Sequence, residues 1–413
     1  MARPIFILGG TQSDFALHLS RASRDVADLV GELVDGALAD AAIEAREIET
    51  IHVGNAFGQQ FTGQGQLGAM PASVRPALWG VPAARHEAAC ASGTVAILAA
   101  MAELAAGHYD CALVVGVEQE RNVTGDEAAR ILGGAAWLGH EGAETDGARY
   151  PWPHMFARIA DAYAERWGLD DKHLAAIADK NLANARTNPL AQTRGWTIDR
   201  DALYAPEASP ANPSVAGRLR RYDCAQVTDG GAALVLATGP FAETWAARRG
   251  RDLARVPRIL GWGHRTASLS LDAKLARATD PTLLLLPHVA TAVDDARMRA
   301  GRSLAAIDGY EVHDCFTITE YLAIDHLGLA PAGRSHRAIE DGSTAIGGDT
   351  PINASGGLIG GGHPVGATGV RMALDAARQI LGTAANPIAN ARAIQTLNLG
   401  GSATTVASLV IGI

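Results

Sequence analysis

Apolar residues follow two rhythms along this chain. Short, nearly continuous apolar runs occur at 5–8, 50–53, 112–117, 232–237, 258–262, 309–312, 394–397 and 405–411, the pattern of strands buried on both faces. Between them, residues 24–42, 92–106, 161–186 and 367–381 place apolar side chains at helical spacing and are rich in helix formers. Strands alternating with helices predict α/β layers. Residues 120–222 break the alternation. They hold four tryptophans (Trp137, Trp152, Trp167, Trp196), many turn residues and amphipathic stretches, and predict a helical insertion before strand character returns over 223–238.

The two parts of the chain echo each other. Cys90-Ala-Ser-Gly-Thr opens one helical stretch and is followed by a strand at 111–117; His363-Pro-Val-Gly-Ala-Thr-Gly opens another and is followed by a strand at 394–397. One part ends in Gly230-Gly231-Ala232-Ala233 and the other in Gly400-Gly401-Ser402-Ala403. Two copies of one α/β unit, packed face to face, would produce this echo.

Composition narrows the picture. A chain of 413 residues is too long for one small core, and 48% hydrophobic with 19% charged residues suits a globular protein with a large interior. Aromatics are only 5% against 46 glycines, so tightly approaching layers are expected. The formal charge of −9 and the lack of any basic run exclude a nucleic-acid footprint, though not an anionic ligand held at a local site. The four cysteines, Cys90, Cys111, Cys224 and Cys315, show no CxxC spacing, so neither a zinc site nor a disulfide framework is expected. Scattered thiols suit a reducing compartment, and a cytoplasmic location follows as the expectation. The apolar run at 5–8 reads as a strand rather than a signal peptide, no run is expected to reach the ~18 residues of a membrane span, and the last residues carry no peroxisomal tripeptide.

Three segments carry candidate chemistry. Cys90 sits at the start of a helical stretch among small residues, where helix-terminal N–H groups favour a thiolate; the same position also suits a buried structural cysteine. His313 and Cys315 lie two apart after a short strand in Tyr310-Glu-Val-His-Asp-Cys-Phe, so an extended backbone would turn both to one side for acid–base work. A metal-ligand pair or a surface histidine are the other readings, and no further Cys or His at metal spacing supports the first. His363 is flanked by seven glycines over 353–369, which allow a ligand close to the backbone. The Lys-Ser/Thr of a phosphate-binding loop is missing there.

Taken in order, these segments resemble the thiolase family. Cys90-Ala-Ser-Gly is similar to its nucleophile motif, and Gly362-His363-Pro364 with Gly366-Ala367-Thr368-Gly369 to its Gly-His-Pro motif. His313-Asp314-Cys315-Phe316 resembles the signature of the sterol-carrier-protein-type branch, as do Asp223-Cys224-Ala225-Gln226-Val227-Thr228-Asp229 and His154-Met155-Phe156. Other thiolases carry a second cysteine in a C-terminal Cys-Xaa-Gly motif, where this chain reads Asn398-Leu399-Gly400; in the sterol-carrier branch the cysteine matching Cys315 takes that role. No sterol-carrier domain follows, so a stand-alone enzyme is expected.

The resemblance implies a thiolase fold: two similar α/β halves, residues 1–120 with 223–250 and residues 251–413, in a five-layer αβαβα body with a loop domain at 121–222. It implies an acyltransferase that cleaves 3-ketoacyl-CoA with CoA or condenses acyl-CoAs. In that cycle Cys90 attacks the thioester, His363 takes its proton, Cys315 moves the α-proton, and His313 and His363 hydrogen-bond the enolate oxygen. The backbone N–H groups of Cys90 and Gly400 would hold the tetrahedral oxyanion, each worth roughly 3 kcal/mol of barrier. Coenzyme A and acyl-CoA enter as substrates, with no permanent cofactor and no metal. Nucleic acid and membrane are not expected as partners; a homodimer, or a tetramer, and an accessory protein are. Two rival readings share the fold: an acyltransferase acting on a non-CoA carbon acceptor, and a partner-dependent thiolase-like subunit.

Overall fold

The computed structural model describes residues 4–139, 148–277, 280 and 283–413; residues 140–147 of the expected insertion lie outside the described residues. The first half supplies strands β1 (Ile5–Gln12), β2 (Thr50–Gly54), β3 (Ala83–His86), β4 (Cys111–Glu118) and β5 (Gly230–Thr238), with helices α1 (Val26–Ala41) and α2 (Ser92–Ala106). Helices α3 (Gly125–Gly133), α4 (Pro151–Trp167) and α5 (Asp171–Thr187) fall between β4 and β5. The second half supplies β6 (Arg258–Thr266), α6 (Pro287–Ala300), β7 (Gly309–Val312), α7 (Thr317–His326), α8 (Gly357–Gly361), α9 (Thr368–Leu381), β8 (Ala393–Gly400) and β9 (Thr405–Gly412).

The strand order is β3-β2-β4-β5-β1-β6-β9-β8-β7. It reads as one pattern written twice, outward from the middle. In the first half β2 runs parallel to β3 and β4, while β5 is antiparallel to β4 and β1. In the second half β7 runs parallel to β8, β9 is antiparallel to β8 and β6, and a parallel bridge from Tyr310 to Ile352 stands where β3 stands in the first. The half-sheets pair edge to edge at Ile5 with Ile259 and Phe6 with Arg258.

Alternation along the strands builds the layers. Val115 and Val235 face outward onto Leu29, Val30 and Leu33 of α1, while Val114 and Leu234 face inward onto Ile97 of α2 and Val370 of α9. Ile394 and Leu409 of the second half meet that same inner layer. On the far side Leu397, Val406 and Val410 pack against Val289 and Val293 of α6. The body is therefore the expected αβαβα stack, with α2 and α9 touching each other at its centre.

Several sequence expectations need correction. The helix expected over 161–186 is two helices, because Gly168 takes φ +80° and Asp170 caps a new start by accepting the Lys172 N–H. Strand β3 was not expected: its Ala83-Ala-Arg-His86 sequence has no strand pattern and its first two residues are exposed at the sheet edge. Helix α7 is buried all round, so it shows no amphipathic period to read. Finally, residues 89–106 are long and apolar enough to cross a membrane, against the expectation that no run would be. In this fold most of that stretch is α2, wedged between the half-sheets against β2, β4 and α9.

Candidate active site

Loops at the carboxyl ends of strands from both halves meet at one cavity. Cys90 is delivered by a tight turn: Ala89 takes φ +50°, and the Ser92 hydroxyl accepts the Ala88 N–H and donates to the Ala89 carbonyl. A left-handed non-glycine residue costs roughly 1 kcal/mol, which this hydrogen-bonded turn offsets. Cys90 thereby stands just before the N-terminus of α2. From the other half, β7 ends at Val312 and leads into His313 and Cys315, and the glycine loop leads into His363 just before α9.

The side chains the sequence singled out converge. The Cys90 sulfur and one ring nitrogen from each of His313 and His363 lie within 4.8 Å of one another, and the two rings meet edge-on with centroids 5.1 Å apart. Cys90, Cys315 and His363 line a cavity of about 250 Å³ whose walls are mainly apolar, among them Phe57, Trp152 and Phe156. A larger groove of about 730 Å³ opens around Trp245 and Asn386 but holds none of these groups. All four cysteines are free thiols. A thiol and two imidazoles at this spacing are also the donor set of a zinc site, so metal removal belongs among the tests.

Electrostatics keep the resting site neutral. Burial of its sulfur and the charge of Glu120 push Cys90 up to about 12, against N–H groups of Gly401 and of Cys90 itself that favour the thiolate. Burial and the Arg371 guanidinium hold His363 down to about 3. Burial, His363 and Arg371 hold His313 well below the ordinary imidazole range. Burial and the nearby Cys90 raise Cys315, whose sulfur sits 3.7 Å from the Thr319 hydroxyl. The arrangement suits a thiol that gives its proton to an imidazole at the moment of attack, rather than one that rests as a thiolate.

The Gly401 N–H reaches the Cys90 sulfur, one residue past the Gly400 expected to serve the oxyanion. Gly400 ends β8 packed so closely on the Ala88 carbonyl that a Cβ there would stand 2.2 Å from its oxygen. Gly401, at φ +61°, turns the chain and lines the cavity.

The residues that hold this assembly were not assigned that role from the sequence, because folding brings them in from distant segments. Glu118 at the end of β4 accepts the Asn55 side-chain amide and the N–H groups of Ala56, Phe57 and Gly366. Burial pushes its carboxyl up to about 7 against those donors. Glu120 accepts the Val365 N–H and faces the cavity. The Thr228 hydroxyl accepts the His363 N–H. The Asn398 side-chain amide reaches both the Cys90 carbonyl and His313, while its oxygen accepts the Thr94 hydroxyl. Gly369 makes room for this contact: a Cβ there would stand 2.2 Å from the Thr94 hydroxyl and 2.6 Å from the Asn398 oxygen. Cys224 also lines the cavity, and its thiol donates to the Arg220 carbonyl.

Comparison with known proteins agrees with this architecture over the whole chain. Residues 5–239 match the thiolase N-terminal domain and residues 270–413 the thiolase C-terminal domain-like family. An acetyl-CoA acetyltransferase of Methanothermobacter thermautotrophicus is 30% identical, with 98% of each chain covered. Sterol carrier protein 2 of Gallus gallus is 28% identical over 100% of this chain and 72% of its own. Among solved structures, the Ltp2-ChsH2(DUF35) aldolase superposes with a TM-score of 0.77 at 21% identity, covering 99% of this chain and 97% of that one. The acetyl-CoA acetyltransferase from Syntrophomonas wolfei superposes at 0.70 and 16% identity, with 100% of both chains covered.

Proposed function

The chain belongs to the thiolase family and is an acyltransferase acting on acyl-CoA, and we propose that its chemistry runs through a Cys90 acyl-enzyme. The observation that carries this reading is the meeting of the Cys90 thiol with two neutral imidazoles at the head of an apolar cavity. His363 accepts the Cys90 proton as sulfur attacks the thioester carbon. The CoA thiolate leaves and takes that proton. The tetrahedral oxyanion is held by the N–H groups of Cys90 and Gly400, while the Gly401 N–H reaches the resting Cys90 sulfur. Cys315, on the same cavity, moves the α-proton of the second acyl-CoA, and His313 hydrogen-bonds the enolate oxygen. Preorganised donors in a water-poor site are each worth roughly 3 kcal/mol.

The finer assignments belong to the same reading. The His313-Asp-Cys-Phe316 motif and the sterol carrier protein 2 relatives favour the branch in which Cys315 replaces the usual second cysteine. Residues 1–120 with 223–250 and residues 251–413 form the two halves, and 121–222 the loop domain that walls the cavity through α3 and α4. The exposed edge of β3, at the end of the sheet, favours a homodimer built through the first half, which two such dimers would extend to a tetramer. An accessory protein is part of the reading because the Ltp2 aldolase was solved with ChsH2(DUF35). The enzyme works in the cytoplasm. Thiolysis of acetoacetyl-CoA by CoA, followed as acetyl-CoA with intact-mass detection of the enzyme, tests the core. Turnover with a Cys90-dependent acyl adduct is expected; no adduct across short, medium and branched acyl-CoAs would remove the reading.

A further inference from the structure

Each of the two histidines brings a ring nitrogen to Cys90, yet their Nδ1 atoms meet different partners. Nδ1 of His313 lies 3.1 Å from Nδ2 of Asn398. The orientation of that amide is fixed, because Nδ2 also lies 3.1 Å from the Cys90 carbonyl, which only accepts, and Oδ1 receives the Thr94 hydroxyl at 2.8 Å. Asn398 therefore spends one N–H on Cys90 and aims the other at Nδ1 of His313. That nitrogen must carry a lone pair, so the ring proton sits on Nε2. Behind His363 the partner is a hydroxyl. Thr368 donates to the Pro364 carbonyl at 3.1 Å and lies 2.7 Å from Nδ1 of His363. With its hydrogen so directed, Thr368 accepts from Nδ1–H, and Nε2 of His363 is left bare. That Nε2 is buried and has no hydrogen-bond partner.

Resting on the acyl-enzyme reading above, we infer that Asn398 and Thr368 are positioning residues that hold His313 and His363 in opposite tautomers and so divide the proton work between them. His363 is the only one of the pair with a free lone pair toward the thiol, so it alone takes the Cys90 proton. In that step the S–acyl bond forms, the acyl–CoA sulfur bond breaks, and the proton passes from Cys90 to Nε2 of His363 and on to the CoA thiolate. His313 cannot take this proton while Asn398 occupies Nδ1, and serves as a standing Nε2–H donor. Of the two enolate hydrogen bonds the family resemblance implies, His313 supplies the permanent one; His363 supplies one only while it holds a proton. By the family resemblance Asn398 stands where other thiolases carry a second cysteine, and Cys315 lines the same cavity.

Histidine side-chain ¹⁵N spectra of the whole enzyme, with His313→Gln and His363→Gln used for assignment, test the tautomers without any turnover. Protonated Nε2 in His313 and protonated Nδ1 in His363 are expected; both rings in one tautomer would overturn the inference. The kinetic test separates two steps: acylation, from CoA release and intact mass, and α-proton exchange of acetyl-CoA in D₂O. Thr368→Val should slow acylation about a hundredfold, and Thr368→Ser should restore it to within about fivefold. Asn398→Ala should lower exchange roughly thirtyfold more than it lowers acylation. Equal losses in both steps from Asn398→Ala, or equal behaviour of the Val and Ser variants, would overturn the division of labour. Should Asn398→Ala fold poorly, the ¹⁵N result on the unaltered enzyme decides. A wild-type enzyme that never acylates at Cys90 would instead sink the acyl-enzyme reading, leaving the tautomers to be judged on the spectra.

Discussion

The two halves share a strand order but deliver different things to the site. The first half ends its strands in Asn55, Glu118 and Glu120 and adds the Cys90 turn; the second ends its strands in His313, Cys315, Asn398 and Gly401 and adds His363. Nucleophile and structural carboxylates thus come from one half, imidazoles and the second thiol from the other. The halves also exchange supports. Glu118 and Glu120 of the first hold the glycine loop of the second through Gly366 and Val365, while Asn398 of the second holds the Cys90 carbonyl of the first. A duplicated scaffold becomes asymmetric chemistry because each half's loops are completed by its partner's polar groups.

Removing the contribution unique to each half should break this comparison most severely. Cys90→Ala should abolish the acyl adduct and lower turnover by about 10⁴-fold or more, read by intact mass and thiolysis. Cys315→Ala, on the second half, should still acylate Cys90 within about tenfold of the unaltered rate yet lose about 10³-fold in condensation and thiolysis. Full turnover in that variant would take Cys315 out of the reaction.

The exchange of supports should show as stability. Glu118 accepts two N–H groups on each oxygen, so Glu118→Gln must set an amide N–H against donors whichever way it turns. A loss of about 2–4 kcal/mol in unfolding free energy is expected by denaturant titration. An unchanged midpoint would mean the clamp is dispensable.

The effect of pH sharpens the comparison at lower amplitude. Cys90 is raised to about 12 and His363 lowered to about 3, so neither changes charge near neutrality. Only protonation of His363 removes the base, and its lowered value puts that loss well on the acid side of the ~6.5 of an ordinary histidine. Acylation should show no limb from Cys90 or His363 between pH 6 and 8, so a change centred near 7 would belong to the Glu118 carboxyl that holds Gly366; a limb near 6.5 that persists in Glu118→Gln would mean an ordinary imidazole. The smallest effect is expected from chelators. Acylation after prolonged treatment should stay within about twofold, and a loss restored by zinc would reassign Cys90, His313 and His363 as ligands.

The sequence made some of this legible and hid the rest for physical reasons. Cys90 and His363 stand out because small residues and glycines around them serve close approach, and that local need leaves a local mark. Seven of the eight apolar strands could be read because burial on two faces leaves little freedom of composition, and β6 because its apolar positions alternate with exposed ones. Strand β3 could not, because it is short and its Ala83 and Ala84 lie exposed at the edge. Asn398 and Thr228 stood in quoted motifs but their supporting roles did not show, and Glu118 carried no mark, since their partners Cys90, His363 and Gly366 lie 308, 135 and 248 residues away in the chain.

The division of the site between halves has a consequence for the life of the chain before it is whole. During synthesis the first half emerges with its thiol but without either imidazole, so Cys90 is then an ordinary, protonated cysteine with no base beside it. A chain truncated before residue 363, or one whose halves have not docked, holds no machine for capturing acyl groups from the surrounding thioester pool. On the acyl-enzyme reading, reactivity appears only once the last third of the polypeptide has closed over the first, so that chemical competence would itself report that folding is complete.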